Sequence, residues 1–218
     1  MCFSASASFT ASALLTACSI VLFSRVKNKK LYLIALVPLF FAIQQFAEGI
    51  LWLHIPGKGT QCSAELAKNV FLFFAFIFWP IWIPFGLWNY EKNSQRKMCL
   101  SILLGMGIVV GSLLGLLIPY MEIEPYCFSI HYTPKINGPI SNSLFYTMST
   151  GVLIFYFFAV ILSMIASSIK HLWVIGILTF ISALVTLWID ATFFISMWCF
   201  LAAAISLGLI FIIKKKES

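Results

Sequence analysis

The sequence predicts an all-α, polytopic membrane protein with seven transmembrane helices, and two observations carry that prediction. The 218 residues are 61% hydrophobic and only 10% charged, whereas soluble domains average about 45–50% apolar and about 25% charged residues. The apolar residues also form long runs, and a helix needs about 20 of them to cross about 30 Å of hydrocarbon. Because so few charges cannot cover a soluble surface, the composition excludes a soluble enzyme, a nucleic-acid binder and a disordered chain.

Seven apolar runs define the predicted helices in chain order. The alternating pattern of barrel strands is absent from them, and we expect no strand. The connecting segments are short, so residues 1–218 form a single transmembrane domain. The predicted helices are Ser6–Phe23, Leu31–Leu53, Ala67–Trp88, Met98–Tyr120, Ser143–Ile165, Leu172–Ile189 and Thr192–Ile213.

The distribution of Lys and Arg predicts the orientation. With the N-terminus outside and the C-terminus inside, eleven of the fourteen cations lie on the inner side, as the positive-inside rule requires. The outer segments then hold Lys58, Lys68 and Lys135. We therefore expect an N-out, C-in protein of the cell (inner) membrane, with the lipid bilayer as its environment. The net charge of +7 is no sign of nucleic-acid binding, because the cations form short clusters between apolar runs.

Hydroxyl groups enrich the outer half of the first helix. Ser8, Ser12 and Thr16 follow one another at four-residue spacing and so share one stripe of the helix. They are candidate hydrogen-bond partners for a polar site, with Ser8 and Ser12 placed among the substrate-binding residues. The alternative is that these small residues only let neighbouring helices pack closely.

The second helix carries the most informative polar face. Gln44 and Gln45 precede Glu48 by four and three residues, and Trp52 follows it by four, so all four share one face. A carboxylate inside a membrane costs a few kcal/mol and usually faces a cavity or a polar partner. We expect a polar pocket that opens outward, with Glu48 as a proton acceptor. The alternative is a hydrogen-bonded knot that only orders the bundle.

The third and fourth helices carry packing signals. Pro80 and Pro84 each remove a backbone donor, which predicts a kink, and the neighbouring tryptophans suit an interfacial belt. Gly107, Gly111 and Gly115 form a small-residue ridge at four-residue spacing, which predicts close helix packing. The ridge could meet another helix of this chain or a second subunit, and the second case would give a homo-oligomer through the fourth helix.

Cysteines in the outer segments offer a disulfide. If the outer side is oxidising, Cys62 and Cys127 can pair. The alternative is that they are free thiols. No Cys-x-x-Cys or His-x-x-x-His spacing is present, so we predict neither a metal nor a cofactor.

A shift of 136 residues aligns the first predicted helix with the fifth and places Leu51-Trp52 on Leu187-Trp188. Two three-helix units joined by a single helix would follow. This 3+1+3 arrangement of parallel repeats is similar to that of sugar-transporting proteins. The likeness is an analogy of architecture.

Three patches carry a family resemblance: Met1–Phe9 (MCFSASASF), Phe40–Trp52 and Ser196–Ala203. Together they resemble an uncharacterised family of small bacterial and archaeal multi-pass membrane proteins that begin Met-Cys-Phe-Ser-Ala. The resemblance implies a membrane fold and brings no activity with it.

The polar face favours a small-solute or proton-coupled transporter in which Gln44, Gln45 and Glu48 line the site. A non-catalytic assembly or binding subunit is the first alternative, and an intramembrane lipid-modifying enzyme is the second. Enzymatic activity is disfavoured, because neither the His/Asp set of a zinc amidase nor a Ser–His pair is evident. A retinal protein is excluded, because the seventh helix has no lysine before Lys214 to form the Schiff base.

Overall fold

The computed structural model describes residues 4–26, 28–54, 61–126, 129–134 and 151–214. Within these ranges six helices are long and apolar enough to cross a membrane, and a shorter apolar helix joins them. In chain order they are α1 Ala5–Arg25, α2 Lys29–His54, α3 Cys62–Tyr90, α4 Ser94–Tyr120, the shorter α5 Gly151–Ala166, α6 Leu172–Ile189 and α7 Ala191–Ile213. The chain is therefore a helical multi-pass membrane protein. The orientation, the 3+1+3 repeat and the count of seven spans stay predictions.

Several of these helices contain local breaks. α2 opens with a 3₁₀ turn and a short helix before its main segment, α4 closes with a 3₁₀ turn, and α7 divides near its C-terminal end. The segments are Lys29–Leu31, Tyr32–Ala35 and Val37–His54 in α2, Ser94–Gly115 and Ile118–Tyr120 in α4, and Ala191–Phe193, Phe194–Ser206 and Leu209–Lys214 in α7. The predicted fifth helix begins at Ser143, outside the described residues.

Two helices contain a π-helical segment. In α3 it spans Phe73–Phe78, between the α-helical parts Gln61–Leu72 and Trp79–Tyr90. The wider turn comes shortly before Pro80, which cannot donate to the turn that precedes it. The second segment spans Phe158–Leu162 in α5. The kink expected at Pro80 and Pro84 stays a prediction.

The glycine ridge of α4 packs on α3. A Cβ atom added at Gly107 would lie 1.8 Å from the carbonyl oxygen of Pro80, and one added at Gly111 would lie 3.2 Å from that of Ile77. Gly115 faces the Ile77 side chain. Of the two partners that the sequence left open, a helix of the same chain covers this ridge. Homo-oligomerisation through α4 is a separate question and stays a prediction.

A β-hairpin follows α4, and the expectation of an all-α chain without strands was wrong here. Strand β1 spans Met121–Tyr126 and pairs antiparallel with β2, Ser129–Pro134. Apolar and polar residues alternate in both strands, so one face is apolar and the other charged or polar. Met121, Ile130 and Tyr132 are buried on the apolar face.

The hairpin is anchored to α3 by a buried lysine. Lys68 is only 3% exposed, pairs with Glu65, and donates a hydrogen bond to the Met121 carbonyl oxygen over 2.9 Å. The predicted third helix began at Ala67, whereas the observed helix begins earlier, at Cys62. Glu65, whose charge makes this first turn look like a loop in the sequence, pairs with the lysine that holds the hairpin.

Candidate functional site

Glu48 lies inside the helix bundle, as expected. Its side chain is 1% exposed, and the hydroxyl of Ser196 on α7 donates a hydrogen bond to its Oε1 atom. The other oxygen, Oε2, has no hydrogen-bond partner among the described residues. The sequence suggested a glutamine amide or a first-helix hydroxyl as the partner. Gln45 lies close enough to Glu48 to interact with it, and the hydrogen-bonded partner is a serine 148 residues along the chain.

The neighbouring amides complete a polar layer. Gln44 accepts a hydrogen bond at Oε1 from the Trp79 indole over 2.8 Å, and the Trp79 ring stacks on Phe41 with centroids 3.9 Å apart. The Gln45 side chain is fully buried, and neither of its polar atoms has a hydrogen-bond partner within the described chain. Three predicted residues of α2 therefore lie together in the bundle, but only two of them are bonded to other helices.

The layer is rich in unsatisfied polar atoms. Buried polar side chains are normally hydrogen-bonded, and each unsatisfied group costs about 1–3 kcal/mol. In the part of the chain that the structure describes, the buried atoms without a partner include Gln44 Nε2, both polar atoms of Gln45, Glu48 Oε2, Trp52 Nε1 and the Tyr132 hydroxyl. We call Gln44, Gln45, Glu48, Trp52, Tyr132 and Ser196 the Glu48 cluster. Together these side chains present both hydrogen-bond donors and hydrogen-bond acceptors to a polar ligand.

The two serines predicted for the site have different surroundings. Ser12 donates to the Ala42 carbonyl oxygen over 2.8 Å and thereby joins α1 to α2. Ser8 is fully buried, and its hydroxyl has no partner among the described residues. Neither serine has a recorded hydrogen bond to Glu48. Ser12 therefore matches the packing alternative, and Ser8 adds another unsatisfied hydroxyl to the bundle.

The hairpin covers the Glu48 cluster on its predicted outer side. Tyr132 of β2 is buried and stacks on Phe71 of α3, with ring centroids 5.1 Å apart and planes within 3°. Burial raises the pKa of Tyr132 well above its ordinary value, and the charges of Glu48 and Cys199 raise it further. Its hydroxyl therefore stays protonated and can act as a donor. The sequence predicted a pocket that opens outward. Glu48 is 1% exposed in this structure, and the direction of opening stays a prediction.

An apolar cavity lies on the opposite side of the cluster. It has a volume of about 60 Å³ and is bounded by α2, α3, α5, α6 and α7. Ile34, Leu87 and Leu209 line it near the ends of their helices that are predicted to face inward. Its lining contains no charged residue. This cavity was not foreseen, because no single helix carries a pattern that reveals it.

Two residues join the cavity to the Glu48 cluster. Trp79 lines the cavity and donates to Gln44, and Cys199 lines it one helical turn after Ser196. Tyr156 on α5 also lines the cavity and donates to the Ala75 carbonyl oxygen in the π segment of α3, over 2.8 Å. The polar and apolar regions are therefore adjacent layers of one site.

A second buried acid lies at the end of the bundle that is predicted to face inward. Glu91 follows α3, is 2% exposed, and accepts hydrogen bonds from the Ser168 amide over 2.8 Å and from its hydroxyl over 2.7 Å. Lys92 and Asn93 donate their amides to it as well, each over 3.0 Å. Desolvation acts to raise the pKa of Glu91, but these bonds outweigh it and hold the pKa below its ordinary value. The acid ties the α3–α4 connection to the α5–α6 connection.

The structure bears on two further candidate sites, a metal site and a disulfide. Across the described ranges, no group of three or more His, Cys, Asp or Glu residues is placed to hold a metal ion. Cys62 is an exposed free thiol, and Cys127 lies outside the described residues. Pairing of Cys62 with Cys127 therefore stays a prediction.

Comparison with known proteins gives one informative result. Neither the curated proteins nor the solved structures contain a match to this chain. A family model described as "Family of unknown function (DUF6629)" matches residues 1–218, the full length of the sequence. This agrees with the resemblance to an uncharacterised family, while the bacterial and archaeal origin and the opening motif stay expectations. The chain belongs to this family of unknown function.

Proposed function

We propose that the protein is a proton-coupled or small-solute transporter of the cell membrane, in which Glu48 accepts the proton. The observation that carries this proposal is a buried carboxyl group with one bonded and one unpaired oxygen at the centre of the bundle. Functional ionisable groups inside membranes usually face the bundle interior and mark proton or ion pathways. A hydrogen-bonded cluster with a purely structural role would be expected to provide a partner for each of its polar atoms.

The arrangement suits alternating access. The apolar cavity leads toward the Glu48 cluster from the predicted inner side, and the hairpin covers the cluster on the predicted outer side. Because an ionised carboxylate without a counter-charge is costly in an apolar medium, Glu48 favours either a proton or a bound cation. Transport then requires that the hairpin, held by Lys68 and Tyr132, move away when the inner side closes. The same scheme keeps the N-terminus outside and Glu91 at the inner face.

Proton flux into proteoliposomes tests the proposal without knowledge of the solute. The purified protein is reconstituted with an entrapped pH-sensitive dye, and an imposed pH gradient with valinomycin and potassium drives flux. We expect flux above empty vesicles for the wild type and loss of that flux in Glu48→Gln, which keeps the shape and removes the charge. Glu124→Gln, on the exposed face of the hairpin, is the matched control and should conduct like the wild type.

Two results would overturn the proposal. One is equal flux for Glu48→Gln and the wild type, and the other is no wild-type flux above empty vesicles. Either result would favour the assembly-subunit alternative, in which Glu48 only orders the bundle. Size-exclusion profiles of all three proteins establish that each variant is folded before flux is compared.

A further inference from the structure

We propose that a groove at the end of the bundle that is predicted to face inward binds the phosphate headgroup of an anionic phospholipid. The groove lies between the start of α4, the end of α5 and the start of α6, and its volume is about 400 Å³. No residue of the Glu48 cluster lines it, so the proposal goes beyond the proposed transport activity. We call it the α4–α6 groove, and its lining includes Arg96, Ile165, Lys170, His171, Trp173 and Ile177.

Two cations from different parts of the chain meet in the α4–α6 groove. Arg96 comes from α4 and Lys170 from the α5–α6 connection, and both residues are exposed. The Arg96 guanidinium donates a hydrogen bond to the Ser167 carbonyl oxygen over 3.1 Å, which holds it against that connection. Neither cation forms an ion pair with a carboxylate within the described ranges. Because guanidinium and ammonium groups bind phosphate, the groove suits an anionic phosphate ester.

One acid lies at this end of the bundle among the described residues, and it does not cancel the two charges. Glu91 is 2% exposed and does not line the groove. Its carboxylate already accepts hydrogen bonds from Ser168 and from the backbone amides of Lys92 and Asn93. The exposed charges around the groove are therefore positive, and they attract an anion.

Exposed apolar side chains lie in the same groove as the two cations. Ile165, Trp173 and Ile177 line it, and each is at least 40% exposed. Trp173 is the second residue of α6, where a tryptophan suits the membrane–water interface, and Ile177 lies one turn further along the helix. A phospholipid carries a charged phosphate next to apolar chains, whereas a free phosphate has no group for these side chains. Basic pockets between transmembrane helices hold anionic lipid headgroups in this way.

Tryptophan fluorescence in vesicles tests this inference. The full-length protein is reconstituted into phosphatidylcholine with brominated acyl chains, which quench tryptophans in contact with lipid, and subtraction of the Trp173→Phe signal isolates Trp173. Bromine-free phosphatidylglycerol, or bromine-free phosphatidylcholine with the same chains, is then added in increasing proportion. One cation at a membrane surface favours an anionic lipid by about fivefold. We therefore expect phosphatidylglycerol to relieve the quenching at a proportion at least about fivefold lower than phosphatidylcholine does. Equal relief by the two lipids would overturn the inference.

Paired variants locate the bound lipid. Arg96→Gln combined with Lys170→Gln removes both charges from the groove and should abolish the preference for phosphatidylglycerol. Lys29→Gln combined with Lys30→Gln removes the same charge from exposed positions outside the groove, and it should keep the preference. Equal loss in the two proteins would show attraction to the whole basic surface and would overturn the groove as the site.

A single variant covers the case in which loss of the Arg96 bond to Ser167 disturbs folding. Lys170 is exposed, so Lys170→Gln should melt close to the wild-type temperature. It should lower the preference for phosphatidylglycerol by about fivefold. A folded Lys170→Gln protein with an unchanged preference would overturn the inference.

Inorganic phosphate distinguishes the two sources of the anion. Added at millimolar concentration to vesicles that contain phosphatidylglycerol, it should leave the Trp173 signal unchanged, because it lacks the apolar chains. Reversal of the effect of phosphatidylglycerol would assign the groove to free phosphate and overturn the lipid. Glu48→Gln should keep the lipid preference whether or not it conducts protons, so this inference and the proposed function fail independently.

Discussion

The glycine ridge gives the sharpest test of the helix packing. Gly107 and Gly105 lie two residues apart on α4 and face different surroundings. A methyl group at position 107 would lie 1.8 Å from the Pro80 carbonyl oxygen, whereas nothing lies within 4 Å of one at position 105. The same chemical change, Gly→Ala, therefore has opposite steric consequences at two neighbouring positions.

The structure sets the size of the effect. For Gly107→Ala to be accommodated, α3 and α4 must separate by at least about 1.2 Å, the difference between the 1.8 Å contact and the 3.0 Å limit. The obstacle is backbone, so no side-chain rotation can relieve it. Overpacking of this kind costs about 1–3 kcal/mol. At roughly 2–4 °C per kcal/mol for a chain of this size, the melting temperature should fall by several degrees.

Thermal unfolding of the detergent-purified variants measures this difference. Gly105→Ala should melt at or slightly above the wild-type temperature, since nothing obstructs its methyl group and alanine favours a helix over glycine by about 1 kcal/mol. Gly115→Ala should be intermediate, because its obstacle is the Ile77 side chain, 2.8 Å away, which can rotate. A Gly107→Ala protein that melts at or above the temperature of Gly105→Ala would refute the close packing of α4 on α3.

Three further predictions follow from residues outside the membrane core. Glu91→Gln should lower the melting temperature at neutral pH. Because the folded pKa of Glu91 lies below its ordinary value, the stability of the wild type should also fall as the pH drops below about 4.3 and toward that folded pKa. A variant whose stability depends on pH in the same way as that of the wild type would contradict this. Lys68→Met should increase amide hydrogen exchange in the hairpin, since the bond to the Met121 carbonyl oxygen is lost; unchanged exchange would show that other contacts hold the strands. In a background without other exposed cysteines, a membrane-impermeant thiol reagent applied from outside should label Lys135→Cys and spare Ser94→Cys, and labelling of both would end the N-out orientation.

The helices were predictable because hydrophobic length is a local property. Every described transmembrane helix overlaps an apolar run of the sequence, and α6 has the predicted bounds Leu172–Ile189. The predicted start of α3 is too late because Glu65 looks like a loop residue in isolation. Lys68 can be buried because Glu65 pairs with its charge and a hairpin carbonyl oxygen accepts a hydrogen bond from it. That compensation comes from tertiary contacts.

The hairpin carried a signal that could have been recognised. Apolar residues alternate with polar ones from Met121 to Glu124 and again from Ile130 to Thr133, which is the period of a half-buried strand. The two strands have only six residues each, so their pattern is weak beside apolar runs of about 20 residues.

The candidate site was predicted in part. The shared face of Gln44, Gln45 and Glu48 follows from helical periodicity alone, so their proximity was visible in the sequence. Ser196 and Tyr132 were not, because they come from elements far along the chain whose placement depends on the whole fold. Glu91 was missed for a similar reason: next to Lys92 it looks like a solvated loop charge, and only the α5–α6 connection makes it a buried acceptor.

The π segment of α3 has a consequence for insertions and deletions. Each residue of an α-helix turns the chain by about 100°, and a single π turn contains one more residue than an α turn between its bonded groups. Loss of one residue within Phe73–Phe78 can therefore be absorbed by conversion to a regular α-helix, which keeps Lys68 and Trp79 on their present faces. Loss of one residue within Trp79–Tyr90 has no such reserve and would rotate Glu91 away from Ser168. Length variation in this helix is thus tolerated at one place and costly at the other.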